Sequence, residues 1–431
     1  MNNKLAIFGG EKSISEKFKR YNPIGKEEID AAIKVLKTGK LSPFLGQWVI
    51  ESEFGSFYGG EKVQEFERLV EKEFNVNHAI TVNSNTSGLI IALGAAGISP
   101  GDEVIVSPWT MCASATAILC WNAIPVFADI EDHTFNLDPA SIRKNITHLT
   151  KAIVVTDIFG HPALLDEILE IANEHNLIVI EDCAQSPKAM YKGKFAGTLA
   201  HIGVLSLNYH KHIHTGEGGV CLTDDPSLAE RMQLIRNHAE AVVENKGVQD
   251  LTNMIGFNFR LGEIEASIGI EQFKKMDILT KDRIDKANKL IAGLAHLKGL
   301  RLPIVKDECS HVYYVFPILL DEEVLGCSRD SVHKALVGEG VPIGNSYANL
   351  HLLPIYQNKI AYGSSGFPWV SEVYKGKVNY NKGICPVAEE LNDKRYMGIG
   401  MCSYEYSNKE IESIIIAFNK VWDNIKFLKP V

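Results

Sequence analysis

Seven short apolar runs punctuate the chain, at residues 79–82, 103–106, 124–127, 152–156, 177–180, 202–207 and 220–223. They have the length of strands, are apolar on both sides rather than on alternate residues, and are mostly separated by helical segments. A strand with no polar face must be covered twice. The runs therefore specify a seven-stranded, mainly parallel sheet buried between helices. Residues 61–278 read as one large α/β domain and 279–431 as a smaller α+β C-terminal domain, with a strand at 311–319. Residues 1–60 read as an N-terminal segment of helical pieces plus loop. A helix over 26–37 stops at Thr38-Gly39. Another over 62–74 places Val63, Phe66, Leu69, Val70 and Phe74 on one face. Further helices are expected at 89–97 and 261–276. The stretch 41–60, rich in Gly, Ser and aromatics, reads as a surface or active-site loop.

Of the 431 residues, 45% are hydrophobic, ample for a large core. The net charge is −9, the pI is near 5.9, and no long basic run stands out, which argues against nucleic acid and anionic membranes as partners. An acidic protein can still hold a phosphorylated ligand through backbone donors. The apolar stretch Leu5-Ala6-Ile7-Phe8 is too short for the core of a signal peptide, and no run approaches membrane-spanning length. Eight cysteines, at 112, 120, 183, 221, 309, 327, 385 and 402, include no Cys-x-x-Cys pair. They read as reduced core thiols, and the expected location is cytoplasmic.

In an open α/β sheet, ligands bind beyond the carboxyl ends of the strands. Four stretches fall there. Asn83-Ser84-Asn85-Thr86-Ser87-Gly88 lies between a strand and a helix. Such residues cap a helix and can present N–H groups to a phosphate, although an ordinary N-cap has the same composition. Glu181-Asp182-Cys183-Ala184-Gln185 puts a carboxylate directly after a buried strand, which is costly unless something pairs with it. A protonated pyridine nitrogen would pair well and keep its ring cationic; a structural ion pair or a metal would also serve. The run 206–219 carries Lys211 in a glycine-rich turn. Desolvation there can strip its proton and let it attack an aldehyde to form a Schiff base. His210, His212 and His214 alternate and would share one face of a strand, as metal ligands can. Only Glu217 is near in sequence to complete such a site, so no metal is assigned. Finally, Asn258 and Arg260 precede a helix, where a capping role is equally open.

Taken together, these residues resemble the DegT/StrS-type sugar aminotransferases. These are pyridoxal 5'-phosphate (PLP) enzymes of fold type I, in the aspartate aminotransferase superfamily. The resemblance covers nearly the whole chain. It runs through Val63-Gln64-Glu65-Phe66-Glu67, Gly101-Asp102-Glu103-Val104-Ile105 and Pro125-Val126-Phe127-Ala128-Asp129-Ile130. It continues through the stretches 181–185 and 206–219, the latter ending Thr215-Gly216-Glu217-Gly218-Gly219. Gly256-Phe257-Asn258-Phe259-Arg260 and Leu350-His351-Leu352-Leu353-Pro354-Ile355-Tyr356 complete it. The resemblance implies that Lys211 is the Schiff-base lysine and proton shuttle, and that Asp182 pairs with the pyridine nitrogen. It also implies Gln185 near the ring hydroxyl, and Asn85, Thr86 and Ser206 at the phosphate. Asn258 would reach the neighbouring subunit's cofactor in an obligate homodimer with shared active sites. Tyr347 and His351 would lie near the substrate.

The sequence departs from the family pattern in three places. Where an aromatic residue usually follows a Thr to cover the ring, Thr110 is followed by Met111 and preceded by Trp109. Either Met111 covers the ring or Trp109 has taken over, next to the substrate. The phosphate loop reads Ser-Asn-Thr where Ser-Gly-Thr is common. Residues 44–60, with Trp48, Phe54, Phe57 and Tyr58, look inserted, to shape a sugar pocket or a dimer contact.

The function implied is transfer of an amino group, from glutamate, to a keto sugar in surface-polysaccharide, lipopolysaccharide or amino-sugar biosynthesis. The sugar would be nucleotide-linked, or a keto sugar acid such as an 8-oxo octulosonate. Two alternatives are a PLP-dependent sugar dehydratase of the same family, in which His replaces the lysine, and a non-catalytic regulatory relative. The register that puts Lys at 211 argues against the first. The retained Asp182 and Lys211 argue against the second. A Rossmann dehydrogenase is disfavoured because Ile7-Phe8-Gly9-Gly10 is not a Gly-x-Gly-x-x-Gly turn.

Overall fold

A computed structural model describes residues 4–429; the first three residues of Met1–Ser15, the stretch read for a signal peptide, lie outside them. Each of the seven apolar runs forms a strand of one sheet. They are β1 (His78–Val82), β2 (Glu103–Val106), β3 (Ile124–Phe127), β4 (Thr150–Thr156), β5 (Ile178–Asp182), β6 (Ile202–Ser206) and β7 (Gly219–Thr223). Their order across the sheet is β1-β7-β6-β5-β4-β2-β3. All neighbours pair parallel except β7, which is antiparallel to both β6 and β1. Six strands therefore point one way, and β7 alone enters from the edge at which they end. Ser206 and Val82 both pair with Gly219. The turn containing Lys211 is delivered to that edge by this reversal.

The runs lack a polar face because helices cover both sides of the sheet. Leu89, Ile91 and Leu93 of the helix Asn85–Ala95 join one core with Val82, Val106, Val154 and Val204. Ile168 and Ile171 of the helix Leu165–His175 join another with Ile105, Ile153 and Val179. The helix Asn85–Ala95 begins earlier than the apolar pattern suggests, because Ser84 caps it by accepting from the Ser87 N–H at 3.0 Å. Gly88 lets this helix press on the sheet: a Cβ there would lie 2.6 Å from Val204 Cγ1.

The second layer system is a four-stranded antiparallel sheet of β8 (Leu300–Arg301), β9 (Val315–Leu320), β10 (Ile343–Gly344) and β11 (Tyr396–Gly400), ordered β8-β9-β11-β10. The strand expected at 311–319 starts four residues later. Phe316, Ile318 and Met397 pack there with Leu336, Ile411 and Phe418 from two helices. The helix expected at 261–276 runs from Glu263 to Leu294, so residue 278, the expected domain limit, lies within it. Leu5 is buried in this second core, and Glu339 accepts from the Ala6 and Ser13 N–H groups. The beginning of the N-terminal segment thus packs on the C-terminal part of the chain.

The loop at 41–60 is anchored. Asn237 Nδ2 donates to the carbonyls of Leu45 and Phe57, at 2.9 and 3.1 Å, and Arg236 lies over the Phe44 ring. It lines a cavity of about 690 Å3 together with Lys34, Lys40 and Glu263.

Candidate active site

The carboxyl ends of β1, β2, β4, β5 and β6 gather the loops that carry the expected functional residues. Lys211 lies in the loop between β6 and β7, outside any strand. It is buried, with Nζ 4.3 Å from the centroid of the Tyr314 ring. Burial lowers its pKa to about 8, while the Asp182 carboxylate pulls in the other direction. Lys188 provides a contrast. Burial works against its charge too, but Asp277 and Glu73 bond its amine and hold its pKa above the ordinary lysine value. Of these two buried lysines, Lys211 is the one prepared to act as a neutral nucleophile.

Asp182 ends β5, buried. Its Oδ1 accepts from Asn85 Nδ2 and from the Ala184 N–H, both at 3.2 Å, and its Oδ2 accepts from Ser114 Oγ at 2.8 Å. Burial raises its pKa; the Ser114 bond, the Ala184 N–H, Lys211 and Asn85 oppose the rise. The Asn85 side chain also donates to the Val204 carbonyl at 3.1 Å, so both its amide protons are used inside the protein. Any hold of Asn85 on a phosphate therefore falls to its backbone, as the loop's composition suggested. What Asn85 and Thr86 offer is their backbone N–H groups in the first turn of a helix, which have no intrahelical acceptor. Ser206 ends β6 beside this turn. A Cβ on its partner Gly219 would lie 2.8 Å from the Asn85 nitrogen, which shows how closely β7 approaches the helix start.

Gln185 is locked on both sides: its Oε1 accepts from the Phe159 N–H at 2.8 Å and its Nε2 donates to the Tyr347 hydroxyl at 3.2 Å. Phe159 needs that hold, since its φ is +59°. Burial pushes the Tyr347 hydroxyl up to about 12.

Three expected placements change. Trp109 is fully buried: its indole N–H donates to Asn349 Oδ1 at 2.8 Å and its ring packs among Phe135, Tyr347 and Tyr396. It supports Tyr347 from behind and offers no surface to a sugar or a cofactor ring. His351 is also fully buried, with Nε2 2.8 Å from Glu389 Oε1, so its side chain does not face a substrate. The three alternating histidines share no strand face. His210 is exposed, His212 is buried with Nε2 2.9 Å from the Val312 carbonyl, and His214 accepts from Gly216. Met111 is 62% exposed and Asn258 is also exposed, its Oδ1 accepting from Arg260 Nε at 2.7 Å. In the single chain Asn258 contributes nothing to Asp182 or Lys211.

Sequence reasoning missed Ser114 and Tyr314. A serine early in an apolar helix and a tyrosine before a strand carry no local signal. It also missed the buried group Asp157, Glu181 and Cys183, the one metal-sized cluster among the described residues. No donor reaches either Glu181 oxygen, and burial together with the neighbouring Asp157 carboxylate raises its pKa well above the carboxylate range; burial also raises that of Asp157, to about 6. A neutral Glu181 carboxyl sharing its proton with Asp157 accounts for this pair.

The donor set fits a phosphorylated pyridine aldehyde: helix N–H donors for a phosphate, a carboxylate for a ring nitrogen and a buried amine of lowered pKa for the aldehyde. The sequence profile described as the DegT/DnrJ/EryC1/StrS aminotransferase family matches residues 46–393. The chain belongs to this family. A GDP-perosamine synthase of Caulobacter vibrioides is 37% identical over 69% of this chain and 79% of its own. An L-glutamine:2-deoxy-scyllo-inosose aminotransferase of Streptomyces kanamyceticus is 32% identical over 76% and 77%. The crystal structure of an aminotransferase from Psychrobacter cryohalolentis superposes with a TM-score of 0.79 at 28% identity, covering 95% of this chain and 100% of that one. The chain is thus a transaminase of the DegT/DnrJ/EryC1/StrS family, with the α/β fold of its PLP-dependent sugar aminotransferases.

Proposed function

We propose that this DegT-family aminotransferase binds PLP through Lys211 and transfers an amino group from glutamate to a keto sugar. The observation that carries the reading is the Lys211 amine, buried over Tyr314 beside Asp182 with its pKa lowered to about 8. PLP, when bound, supplies an aldehyde for that amine and a ring that delocalises charge from a substrate carbon. Toward that aldehyde Lys211 would be the nucleophile, and as a free amine it would be the group that moves a proton at the reacting carbon. The Tyr314 face stabilises its ammonium form between those steps. Asp182 holds the ring nitrogen protonated. The N–H groups of Asn85 and Thr86 and the Ser206 hydroxyl hold the phosphate against the positive end of the helix dipole. Gln185 would lie near the ring hydroxyl, and Tyr347, hydrogen-bonded to Gln185, would lie near the substrate.

The proposal includes a cytoplasmic homodimer in which Met111 covers the ring and Asn258 serves the partner's cofactor. The exposure of both side chains in the single chain supports it. The sugar is nucleotide-linked, as the name of the perosamine synthase relative suggests, or a keto sugar acid. The inosose aminotransferase relative is named for glutamine as donor, so glutamine belongs in the same assays. Borohydride reduction of the yellow enzyme and peptide mapping should place the cofactor on Lys211. A label on Lys188, Lys192 or Lys194 would overturn the assignment. Turnover of keto sugars with glutamate against glutamine then decides the donor.

A further inference from the structure

Behind Asp182 lies a row of three buried hydroxyls that the proposed chemistry does not use. Ser114 Oγ donates to Asp182 Oδ2 at 2.8 Å, Thr110 Oγ1 lies 3.1 Å from Ser114 Oγ, and Thr156 Oγ1 donates to Thr110 Oγ1 at 3.1 Å. All three residues are at most 2% exposed. Each comes from a different element: Thr156 ends β4 and is the ladder partner of Asp182, Thr110 follows β2, and Ser114 lies in the helix Ala113–Cys120.

Proton counting fixes the direction of the row. A hydroxyl has one proton to donate. Ser114 gives its proton to Asp182, so in the bond with Thr110 it must accept. Thr110 then has no proton left for Thr156 and accepts from it. The three O–H dipoles point the same way, positive ends toward Asp182, and each bond polarises the next. On the other carboxylate oxygen, both Asn85 amide protons are committed, one to Asp182 and one to Val204. That fixes the orientation of the carboxylate as well as its charge.

We propose that Thr156, Thr110 and Ser114 form a one-way hydroxyl relay that, with the Asn85 amide, holds Asp182 ionised and fixed in orientation. Ser114 and Asn85 are positioning residues, acting on the reaction only through Asp182. Burial alone would favour the neutral acid, and a neutral acid cannot pair with a cationic ring. The other titratable groups around Asp182 do not do this work. Lys211 helps while it is charged, but it titrates near 8 and is consumed when it bonds to an aldehyde. Tyr347 and Cys183 are held neutral by burial, and so is Glu181.

The inference rests on the reading of Asp182 as the ring's counter-ion, and two arms of one experiment separate the two claims. In the cofactor-free protein, the protonation of Asp182 is followed by infrared spectroscopy of its carboxyl band, assigned by its loss in Asp182→Asn. The acid midpoint should rise in Ser114→Ala by about one pH unit or more, the effect of losing a hydrogen bond to a charged group. Ser114→Cys should fall between, because a thiol is a weak donor. Thr110→Val should shift the midpoint less than Ser114→Ala, and Thr156→Val least. Equal shifts in all three, or no shift in Ser114→Ala while its melting temperature falls, would mean that the hydroxyls are packing groups and would overturn the relay. In the holoenzyme the same series should lose activity in the same order, with Ser114→Ala down about ten- to a hundredfold in kcat. If the graded shift appears without cofactor but the holoenzyme rates stay level, the relay stands and the counter-ion role of Asp182 falls.

Discussion

The buried Lys211 amine can be weighed in the absence of any cofactor. An amine that titrates near 8 in the folded protein and near its ordinary 10.5 in the unfolded chain binds its proton about 3 kcal/mol less tightly when folded. The folded pKa is the lower one, so between about pH 8 and 10.5 the unfolded chain carries more protons and stability rises with pH. Below pH 8 both states are protonated and the cost is paid in full. Lys211→Met removes the charge at similar length and keeps the apolar stem, at the loss of the ammonium contact with Tyr314, worth about 1 kcal/mol. The cofactor-free variant should therefore be more stable than the wild type by about 2 kcal/mol at pH 7. The gap should close as pH approaches 10. Urea denaturation of both cofactor-free proteins at pH 6, 7, 8, 9 and 10 measures it. A variant that is less stable at pH 7, or a gap that does not change with pH, would mean that Lys211 keeps an ordinary pKa and is not primed as a nucleophile.

Trp109→Ala should cost about 3–5 kcal/mol in denaturation experiments, because it empties a fully buried aromatic cluster; an effect confined to KM would restore a substrate-facing role. Glu181→Gln should change stability at pH 7 by less than about 1 kcal/mol, since one neutral group replaces another, whereas Glu181→Ala should cost more than about 2 kcal/mol. Asp157 titrates near 6 folded and near 3.8 unfolded, so its stabilising contribution is present below pH 3.8 and is lost as pH rises through 6. That slope should persist in Glu181→Gln, because burial of Asp157 sets it and the Gln amide can still donate to the carboxylate; urea titrations between pH 4 and 7 measure it, and a flat profile would mean that Asp157 keeps an ordinary carboxylate pKa. Lys211→Ala and an inactive Asn258 variant should regain partial activity when refolded together, because one of the two shared sites then inherits neither defect; exchange of subunits without recovery would assign Asn258 to its own chain.

Much of this architecture was legible in the residues themselves. Burial on both faces leaves a trace in sequence, so the runs such as 103–106 and 202–207 marked the strands of the large sheet. Alternation of burial in one helix, as in Val63, Phe66, Val70 and Phe74, marked another element. Boundaries were less legible. Ser84 captures the Ser87 N–H and starts its helix at Asn85, four residues before the apolar pattern begins. The strand after His311 starts late because His311, Val312 and Tyr313 are used otherwise: Val312 bonds the Gly160 carbonyl, and Tyr313 has a φ of +50°.

The site was legible only where a residue type is expensive in its position. Asp182 at a buried strand end and Lys211 in a glycine-rich turn are such residues, and burial has perturbed both. Trp109, by contrast, was read from its neighbour Thr110 as a candidate for contact with ligand, yet its side chain points into the cluster between the two sheets. The direction of an aromatic side chain in a loop depends on which distant element offers it a cavity and a partner, here Asn349, 240 residues away. Ser114 was illegible for the same reason. A buried serine in an apolar helix usually bonds its own backbone, and only the tertiary fold brings it to Asp182, 68 residues away. The residues proposed to do chemistry leave a mark in sequence because their burial must be explained. Residues that make this burial tolerable leave none, since any small hydroxyl in the right place will do, and the right place exists only once β2, β4 and β5 lie side by side.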